Sequence, residues 1–346
     1  MAPSVAILNP PSTNVPSRND EFKLQARSAD VKAPRTIDEL IQQRAEELPN
    51  QAILSYPSSG IDYVDYSFQD LNKFASLVAE RYKTLIPPRS SSQDAETVVG
   101  LLGPSNLEYF ITTLALSKLG HTVLFLSTRI SMPAYVSLLQ ATGAQHIVIE
   151  TTFRETIDLV KRSFPELNVH DIAGKSVWES PFPGISTSPD IQFSPQLDLN
   201  LESSKLSWII HSSGSTGLPK PIYQTHRAAL QNYGSNLSLR GFVTLPLYHA
   251  HGLSSVFRAI HSRKQIYLYN ADLPLTQRHL LNIMQRYEFQ IFYGVPYALK
   301  LLGESAEGIA ALAKLDVVMF GGSACPDPLG NRLVNNDVNL ISHYGT

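Results

Sequence analysis

Short apolar runs alternate with stretches of helical spacing along most of the chain. Residues 98–102 and 122–126 are apolar almost throughout, which is typical of strands buried on both faces of a parallel sheet. Between them, residues 106–119 carry apolar side chains at helical spacing and end at Gly120, a residue that commonly follows a helix. Strand, helix and strand in this order predict right-handed βαβ units. The same reasoning predicts further elements in this half of the chain: helices over 36–49, 69–82 and 132–142, the last closed by Gly143, and strands over 52–56, 63–68 and 146–150.

A second run of alternating elements follows a stretch over 180–196 that is rich in Pro and Ser. Its apolar patterns predict strands over 206–210, 242–245, 265–269, 290–293 and 317–320, and helices over 228–237, 254–261, 276–287 and 297–303. The pattern as a whole predicts an α/β fold. We expect a mostly flexible, Pro-rich leader over 1–35, a first αβ subdomain over 36–179, a linker over 180–204 and a second αβ subdomain over 205–346.

Composition and charge narrow the class of protein. The chain has 346 residues, 43% of them hydrophobic, and 28 basic side chains against 30 acidic ones. This near balance does not favour a nucleic-acid or membrane-surface partner. No uncharged apolar stretch approaches the length of a membrane span, and the N-terminus lacks the pattern of a signal peptide. Cys325 is the only cysteine, so an intrachain disulfide is excluded and a cytoplasmic location is the expectation.

The most informative motif follows the apolar run at 206–210. Glycines there allow the backbone to approach an anion closely, the hydroxyl groups donate hydrogen bonds, and one lysine adds a positive charge. The residues concerned are Ser212, Ser213, Gly214, Ser215, Thr216, Gly217 and Lys220. Their spacing differs from the P-loop pattern, which has four residues between its glycines. The motif predicts a polyphosphate site, and a Ser- and Gly-rich turn without a ligand is the alternative.

Two histidines, His249 and His251, follow the strand predicted over 242–245. On a strand their spacing would place both side chains on one face, which raises the alternative of a metal pair, but no third ligand lies nearby in the sequence. A pair of exposed histidines without a role is a second alternative.

A further glycine motif, Gly321-Gly322-Ser323, follows the strand predicted over 317–320. Two glycines at the carboxyl end of a parallel strand allow close approach to a planar ligand, and a plain strand-ending turn is the alternative. Cys325 lies close by, and we expect an inert thiol there rather than a nucleophile. The chain then ends in His343, Tyr344, Gly345 and Thr346.

These four segments occur in the order of the core motifs of the adenylate-forming (AMP-binding) superfamily, which they closely resemble. That superfamily includes acyl-CoA synthetases, luciferases and the adenylation domains of peptide synthetases. The segments over 247–249, 257–260 and 269–276 look most like fungal peptide-synthetase-like carboxylic acid reductases. The resemblance implies an incomplete large N-terminal domain with two stacked, largely parallel sheets flanked by helices, and a nucleotide at the carboxyl ends of the strands.

The resemblance also implies roles for the motif residues. The loop from Ser212 to Lys220 would hold the β and γ phosphates of ATP, and Mg²⁺ would screen their charge. Adenine would lie beside Gly321, Gly322, Ser323, Tyr344, Gly345 and Thr346. His249 and His251 would border a carboxylic acid, aryl or otherwise small. No residue of this chain is expected to be a metal ligand.

The family's activity implies partners beyond this chain. The acid would become an acyl-adenylate and pass to a phosphopantetheine thiol on a carrier domain, ahead of a reductase domain. We expect the C-terminal subdomain with the family's catalytic lysine, the carrier domain and the reductase domain to be absent, so that no catalytic set is complete. A non-catalytic truncated remnant with weak nucleotide binding at most, and a truncated acyl-CoA ligase, are the alternatives.

Overall fold

The computed structural model describes residues 33–179, 197–212 and 217–344. The strands in these ranges are β1 (Ala52–Ser59), β2 (Asp62–Ser67), β3 (Val98–Leu102), β4 (Thr122–Leu126), β5 (His146–Ile149), β6 (Asn168–Asp171), β7 (Leu206–His211), β8 (Pro221–Thr225), β9 (Gly241–Val243), β10 (Ile266–Leu268), β11 (Ile291–Gly294), β12 (Val317–Phe320) and β13 (Leu340–Ser342).

The helices are α1 (Ile37–Glu47), α2 (Phe68–Tyr82), α3 (Leu107–Lys118), α4 (Met132–Thr142), α5 (Arg154–Ser163), α6 (Ser176–Glu179), α7 (Leu199–Glu202), α8 (His226–Gly234), α9 (Ala250–Ser262), α10 (Gln277–Arg286), α11 (Pro296–Gly303), α12 (Ala306–Ala313) and α13 (Asp327–Val334). Local sequence explains several of their ends. The side chain of Thr36 accepts a hydrogen bond from the backbone of Glu39 and caps α1, and Gly143 ends α4 with a φ of 66°. None of the helices in the described ranges combines the length and apolar character that a bilayer crossing requires.

The strands form two sheets. One has seven strands in the order β13-β12-β11-β9-β10-β1-β2, and the other has six in the order β6-β5-β3-β4-β7-β8. All neighbouring pairs are parallel except β1 with β2 and β7 with β8. The predicted α/β fold with two largely parallel sheets is confirmed.

The two sheets do not follow the division of the chain predicted at 180–204. Strands β1 and β2 precede that stretch but pair with β10 in the seven-stranded sheet, and β7 and β8 follow it but extend the six-stranded sheet. Residues 180–196 and the leader residues 1–32 lie outside the described ranges. The subdomain boundaries therefore stay a prediction, and the sheets themselves are assembled across them.

An inner pair of helices, α3 and α9, joins the sheets. Phe110 of α3 contacts Phe257 of α9, with ring centroids 5.8 Å apart, and Phe257 in turn contacts Trp208 of β7 at 5.6 Å. All three side chains are fully buried. Through Phe257, helix α9 is therefore fixed against α3 and against the six-stranded sheet.

Candidate functional site

The predicted polyphosphate loop is the tip of an antiparallel hairpin. Strands β7 and β8 pair as far as His211 opposite Pro221, and the backbone N–H of Ser212 then donates to the carbonyl of Lys220 at 3.0 Å. Gly217 has a φ of 113°, a conformation that favours glycine, and the side chain of Lys220 is exposed. Ser213, Gly214, Ser215 and Thr216 lie outside the described residues. Ser212 and Lys220 therefore lie opposite each other where the strand pairing ends and the loop begins.

A turn after β4 is attached to the residue that precedes this loop. The backbone N–H of Ser127 donates to Nε2 of His211 at 3.1 Å. Because Nε2 accepts, the neutral ring carries its proton on Nδ1. Burial lowers the pKa of His211, which agrees with this neutral form. The sequence motifs assigned no role to His211 or Ser127.

The segment before α9 is attached to two neighbouring strand ends. The backbone N–H of Leu247 donates to Oγ of Ser105 after β3 at 2.7 Å, and the hydroxyl of Tyr248 lies 3.1 Å from that of Thr128 after β4. His249 then precedes the first residue of α9, and its side chain is exposed. Partial desolvation by the surrounding protein, followed by the nearness of His211 and Arg129, lowers the pKa of His249. His249 therefore lies close to the start of the hairpin loop.

His251 lies in the first turn of α9 and faces the other sheet. Its ring centroid is 4.5 Å from that of His343, which follows β13, and 6.0 Å from that of Tyr293 in β11. Burial, together with His343 and Arg258, lowers the pKa of His251 to about 3, so the ring is neutral near pH 7. Both ring nitrogens are buried, and neither has a hydrogen-bond partner within the described residues. Such unpaired groups are unfavourable unless a ligand or water occupies the site.

The metal-pair alternative assumed that His249 and His251 lie on a strand, but they do not. Helix α9 begins at Ala250 rather than at the predicted residue 254. Spacing of two residues at a helix start sends side chains to different sides, so His249 points toward the hairpin side and His251 toward the seven-stranded sheet. The two residues thus connect the ends of both sheets.

Gly321, directly after β12, allows the backbone to approach His251 and His343. A Cβ at this position would lie 2.7 Å from the carbonyl oxygen of His343 and 2.9 Å from Nδ1 of His251. Gly322 follows with a φ of 87°, and Ser323 is exposed. Tyr344 is 91% exposed, while Gly345 and Thr346 lie outside the described residues. Burial raises the pKa of the Cys325 thiol, which favours the inert form expected for it.

The site thus forms where parallel strands of both sheets end, as open α/β sheets commonly arrange it. The loops after β3, β4, β7, β9, β12 and β13 all reach the start of α9 or its neighbours. Ser105, Ser127, Arg129, Tyr293 and His343 were not assigned by the sequence motifs. For Ser105, Ser127, Arg129 and Tyr293, a position after or within a predicted strand is the signal that points to them, whereas His343 is the first residue of the C-terminal motif.

Solved structures with this architecture identify the fold. The N-terminal domain of FACL13 from Mycobacterium tuberculosis matches with a TM-score of 0.72 and 19% identity, over 90% of this chain and 76% of that one. An anthranilate CoA ligase, AuaEII, in complex with anthranoyl-AMP matches with a TM-score of 0.71 and 17% identity, over 92% of this chain and 60% of that one. The fold is that of the large N-terminal domain of adenylate-forming enzymes. The chain belongs to the AMP-binding enzyme family, whose model matches residues 41–346.

Curated relatives confirm the predicted resemblance to fungal reductases. An adenylate-forming reductase of Aspergillus terreus is 29% identical over 347 residues, which are 92% of this chain and 32% of the relative. A carboxylic acid reductase of Neurospora crassa is 25% identical, over 89% of this chain and 30% of the relative. The chain therefore spans about a third of the length of the curated relatives it matches.

Proposed function

We propose that this chain forms the nucleotide- and carboxylate-binding part of an enzyme that activates a carboxylic acid with ATP. The observation that carries the proposal is the position of His251, whose ring nitrogens are buried and have no hydrogen-bond partner among the described residues. His249, which directly precedes the same helix, lies toward the hairpin loop. The segment from His249 to His251 would therefore lie between the loop proposed for the phosphates and the unpaired ring nitrogens of His251. The relatives named adenylate-forming reductase and carboxylic acid reductase support this assignment.

The proposed reaction joins the acid to the α-phosphorus of ATP. A carboxylate oxygen forms the new bond to phosphorus, the bond from the α-phosphorus to the bridging oxygen breaks, and pyrophosphate leaves with that electron pair. The protein's task is to align these groups and to balance negative charge. The loop from Ser212 to Lys220 would hold the β and γ phosphates, and Mg²⁺ would bind chiefly through phosphate oxygens, as it does in many nucleotide sites.

The acid would lie beside the start of α9. A neutral His251 offers one N–H donor, which suits a carboxylate oxygen, and the N-terminus of a 13-residue helix adds a favourable dipole for an anion. His249 would border the acid on the hairpin side. Gly321, Gly322 and Ser323, with Tyr344, Gly345 and Thr346, would line the adenine.

We propose an acceptor for the acyl group that lies outside this chain, because the relatives are much longer than the chain. They are about three times as long as this chain, which leaves room for a carrier domain with a phosphopantetheine thiol and for a reductase domain. An aryl or other small acid is the proposed substrate class, and the ligand of AuaEII, anthranoyl-AMP, is an example of an activated aryl acid.

ATP–pyrophosphate exchange with a panel of aryl and small aliphatic acids tests the proposal. We expect exchange above background with at least one acid, or, if the catalytic lysine must come from another segment, ATP binding by titration calorimetry without exchange. A chain that binds no ATP and exchanges with no acid would instead be the non-catalytic remnant. Product formation on adding free CoA would support the acyl-CoA ligase alternative.

A variant of His251 separates the acid site from the nucleotide site. His251→Ala removes the unpaired imidazole, so we expect the KM for the acid to rise about tenfold or more while ATP affinity stays within about twofold. His279→Ala, at a histidine whose Nδ1 lies within hydrogen-bonding distance of Pro274 and Tyr269 rather than of any residue of this site, is the control and should change neither value. Equal loss of acid and ATP affinity in His251→Ala would argue against a specific carboxylate contact.

A further inference from the structure

We infer that Arg129 binds the phosphates of ATP beside the hairpin loop and supplies a second cation there in addition to Lys220. No sequence motif assigns this residue. The inference rests on the proposed function, because it concerns the same nucleotide site. Arg129 would contact the phosphates from the side of β4.

The backbone around Arg129 is held in place by several hydrogen bonds. The N–H of Arg129 donates to Oγ of Ser127 at 3.2 Å, and the N–H of Ser127 donates to His211 at 3.1 Å. The carbonyl of Ser127 accepts from the hydroxyl of Tyr135 at 2.8 Å, and Thr128 is bonded to Tyr248. The turn is therefore fixed to the residue that precedes the hairpin loop and to the residue that precedes His249.

The sheet topology places Arg129 at the edge of the sheet where the nucleotide is proposed to bind. Strand β4 is the parallel neighbour of β7, with Leu124 opposite Ile209, so the chain leaves both strands at the same edge. Two residues, Ser127 and Thr128, separate the end of β4 from Arg129, and Ser212 follows β7 directly. The charge of Arg129 also reaches His249, whose pKa it helps to lower. These relations place Arg129 between the loop and the start of α9.

The side chain of Arg129 is exposed and has no acidic partner within the described ranges. An exposed arginine often forms an ion pair with a neighbouring carboxylate instead, as Arg154 of α5 does with Asp171. A solvated arginine on a surface normally needs no explanation. Here the backbone is fixed by hydrogen bonds, the charge has no acidic partner among the described residues, and His249 is near enough for the charge to help lower its pKa. A guanidinium group matches two phosphate oxygens at once, which suits a triphosphate.

Titration calorimetry with ATP and with adenosine tests the inference on the full chain. We expect Arg129→Gln to weaken ATP binding about tenfold, because a charge-assisted contact is lost, and to leave adenosine binding unchanged. Arg129→Lys should bind ATP more tightly than Arg129→Gln but less tightly than the parent chain, because it keeps the positive charge but cannot bind two phosphate oxygens at once. Arg154→Gln is the matched control and should bind ATP like the parent chain. Circular dichroism and thermal unfolding show whether each variant keeps its fold.

The outcomes separate this inference from the proposed function. If the parent chain binds ATP and Arg129→Gln binds it within about twofold, the role of Arg129 is overturned and the proposed function stands. If Arg129→Gln weakens ATP and adenosine equally, the residue acts on the fold of the site and the inference is again overturned. If the parent chain binds no ATP, both proposals fail together. A loss confined to ATP supports the inference.

Discussion

The imidazole rings of His251 and His343 lie with their centroids 4.5 Å apart and their planes at 72°. His251 belongs to the first turn of α9, whereas His343 follows β13, the edge strand of the seven-stranded sheet. The backbone N–H of His343 donates to the carbonyl of Phe320 at 2.7 Å, which holds it beside Gly321. This contact joins the central helix to the sheet edge at the site proposed for the nucleotide and the acid.

Replacement of Gly321 by alanine should disturb that contact. The added Cβ would lie 2.7 Å from a backbone oxygen of His343, so the chain after β13 or the ring of His251 must shift. We expect unfolding by urea to show a loss of about 1–3 kcal/mol and acid affinity to fall. Gly330→Ala, where a Cβ would meet only Cys325 at 3.9 Å, is the control and should leave both values nearly unchanged. Equal stability of the two variants would show that the site tolerates the shift.

Replacement of Lys220 by alanine should weaken nucleotide binding without affecting the fold. The side chain is exposed at the neck of the hairpin, so its removal leaves the core intact. We expect ATP affinity to fall about tenfold by calorimetry while the midpoint of thermal unfolding stays constant. Lys314→Ala, at an exposed lysine before the amino end of β12, serves as control. Unchanged ATP affinity would remove Lys220 from the proposed site.

Removal of one partner of the buried Arg89–Glu202 ion pair should be strongly destabilising. The guanidinium makes two hydrogen bonds to the carboxylate, at 2.8 and 3.1 Å, and both side chains are almost fully buried. Glu202→Gln leaves a buried charge without its counterion, so we expect a loss of about 3–5 kcal/mol in chemical denaturation. Asp171→Asn, which removes the exposed pair with Arg154, should lose less than about 1 kcal/mol. A double variant with apolar residues at 89 and 202 should regain part of the stability.

The buried histidine His226 should make the fold sensitive to mild acid. Its Nδ1 accepts the backbone N–H of Ile37 at 3.1 Å, and burial, with the charge of Arg89, lowers its pKa to about 4. The unfolded chain takes up this proton first as the pH falls, so the contribution is fully present above about pH 6.5 and is lost toward pH 4. The loss from this group is on the order of 3 kcal/mol. His226→Asn keeps an acceptor without titrating, so its unfolding free energy should depend less on pH over this range and match the parent more closely at pH 5 than at pH 8.

Elements with a clear apolar pattern or a closing glycine were predicted closely from the sequence. Strands β3, β4 and β12 and helix α4 have the bounds expected from their apolar patterns and, for α4, from the glycine that closes it. Burial on both faces leaves no room for polar side chains in such strands, so the pattern is unambiguous. The order of the motifs likewise predicted the family, which the family model confirms over residues 41–346.

Helix α5 and strand β13 were not predicted, although the short strands β9 and β10 were. Helix α5 is amphipathic but buries only Ile157 and Val160, and it was not predicted although its pattern is periodic. Strand β13 has three residues with two of them exposed, which is too short for a clear alternation. Helix α9 begins four residues before its predicted start, since Gly252 weakens the helical pattern there. That early start decides the directions of His249 and His251, which the metal-pair alternative had placed on one face of a strand.

The sequence by itself determined the α/β class, most of the buried elements and the motifs that place the chain in its family, because these depend on residues near one another along the chain. Only the tertiary structure decided which strands share a sheet, since Leu54 pairs with Ile266 far along the chain. It also decided that both ring nitrogens of His251 are buried without a hydrogen-bond partner in the described part of the chain, and that the turn carrying Arg129 lies beside His211 and His249. Contacts of this kind form only when separate segments pack together, and no local pattern of residues encodes them.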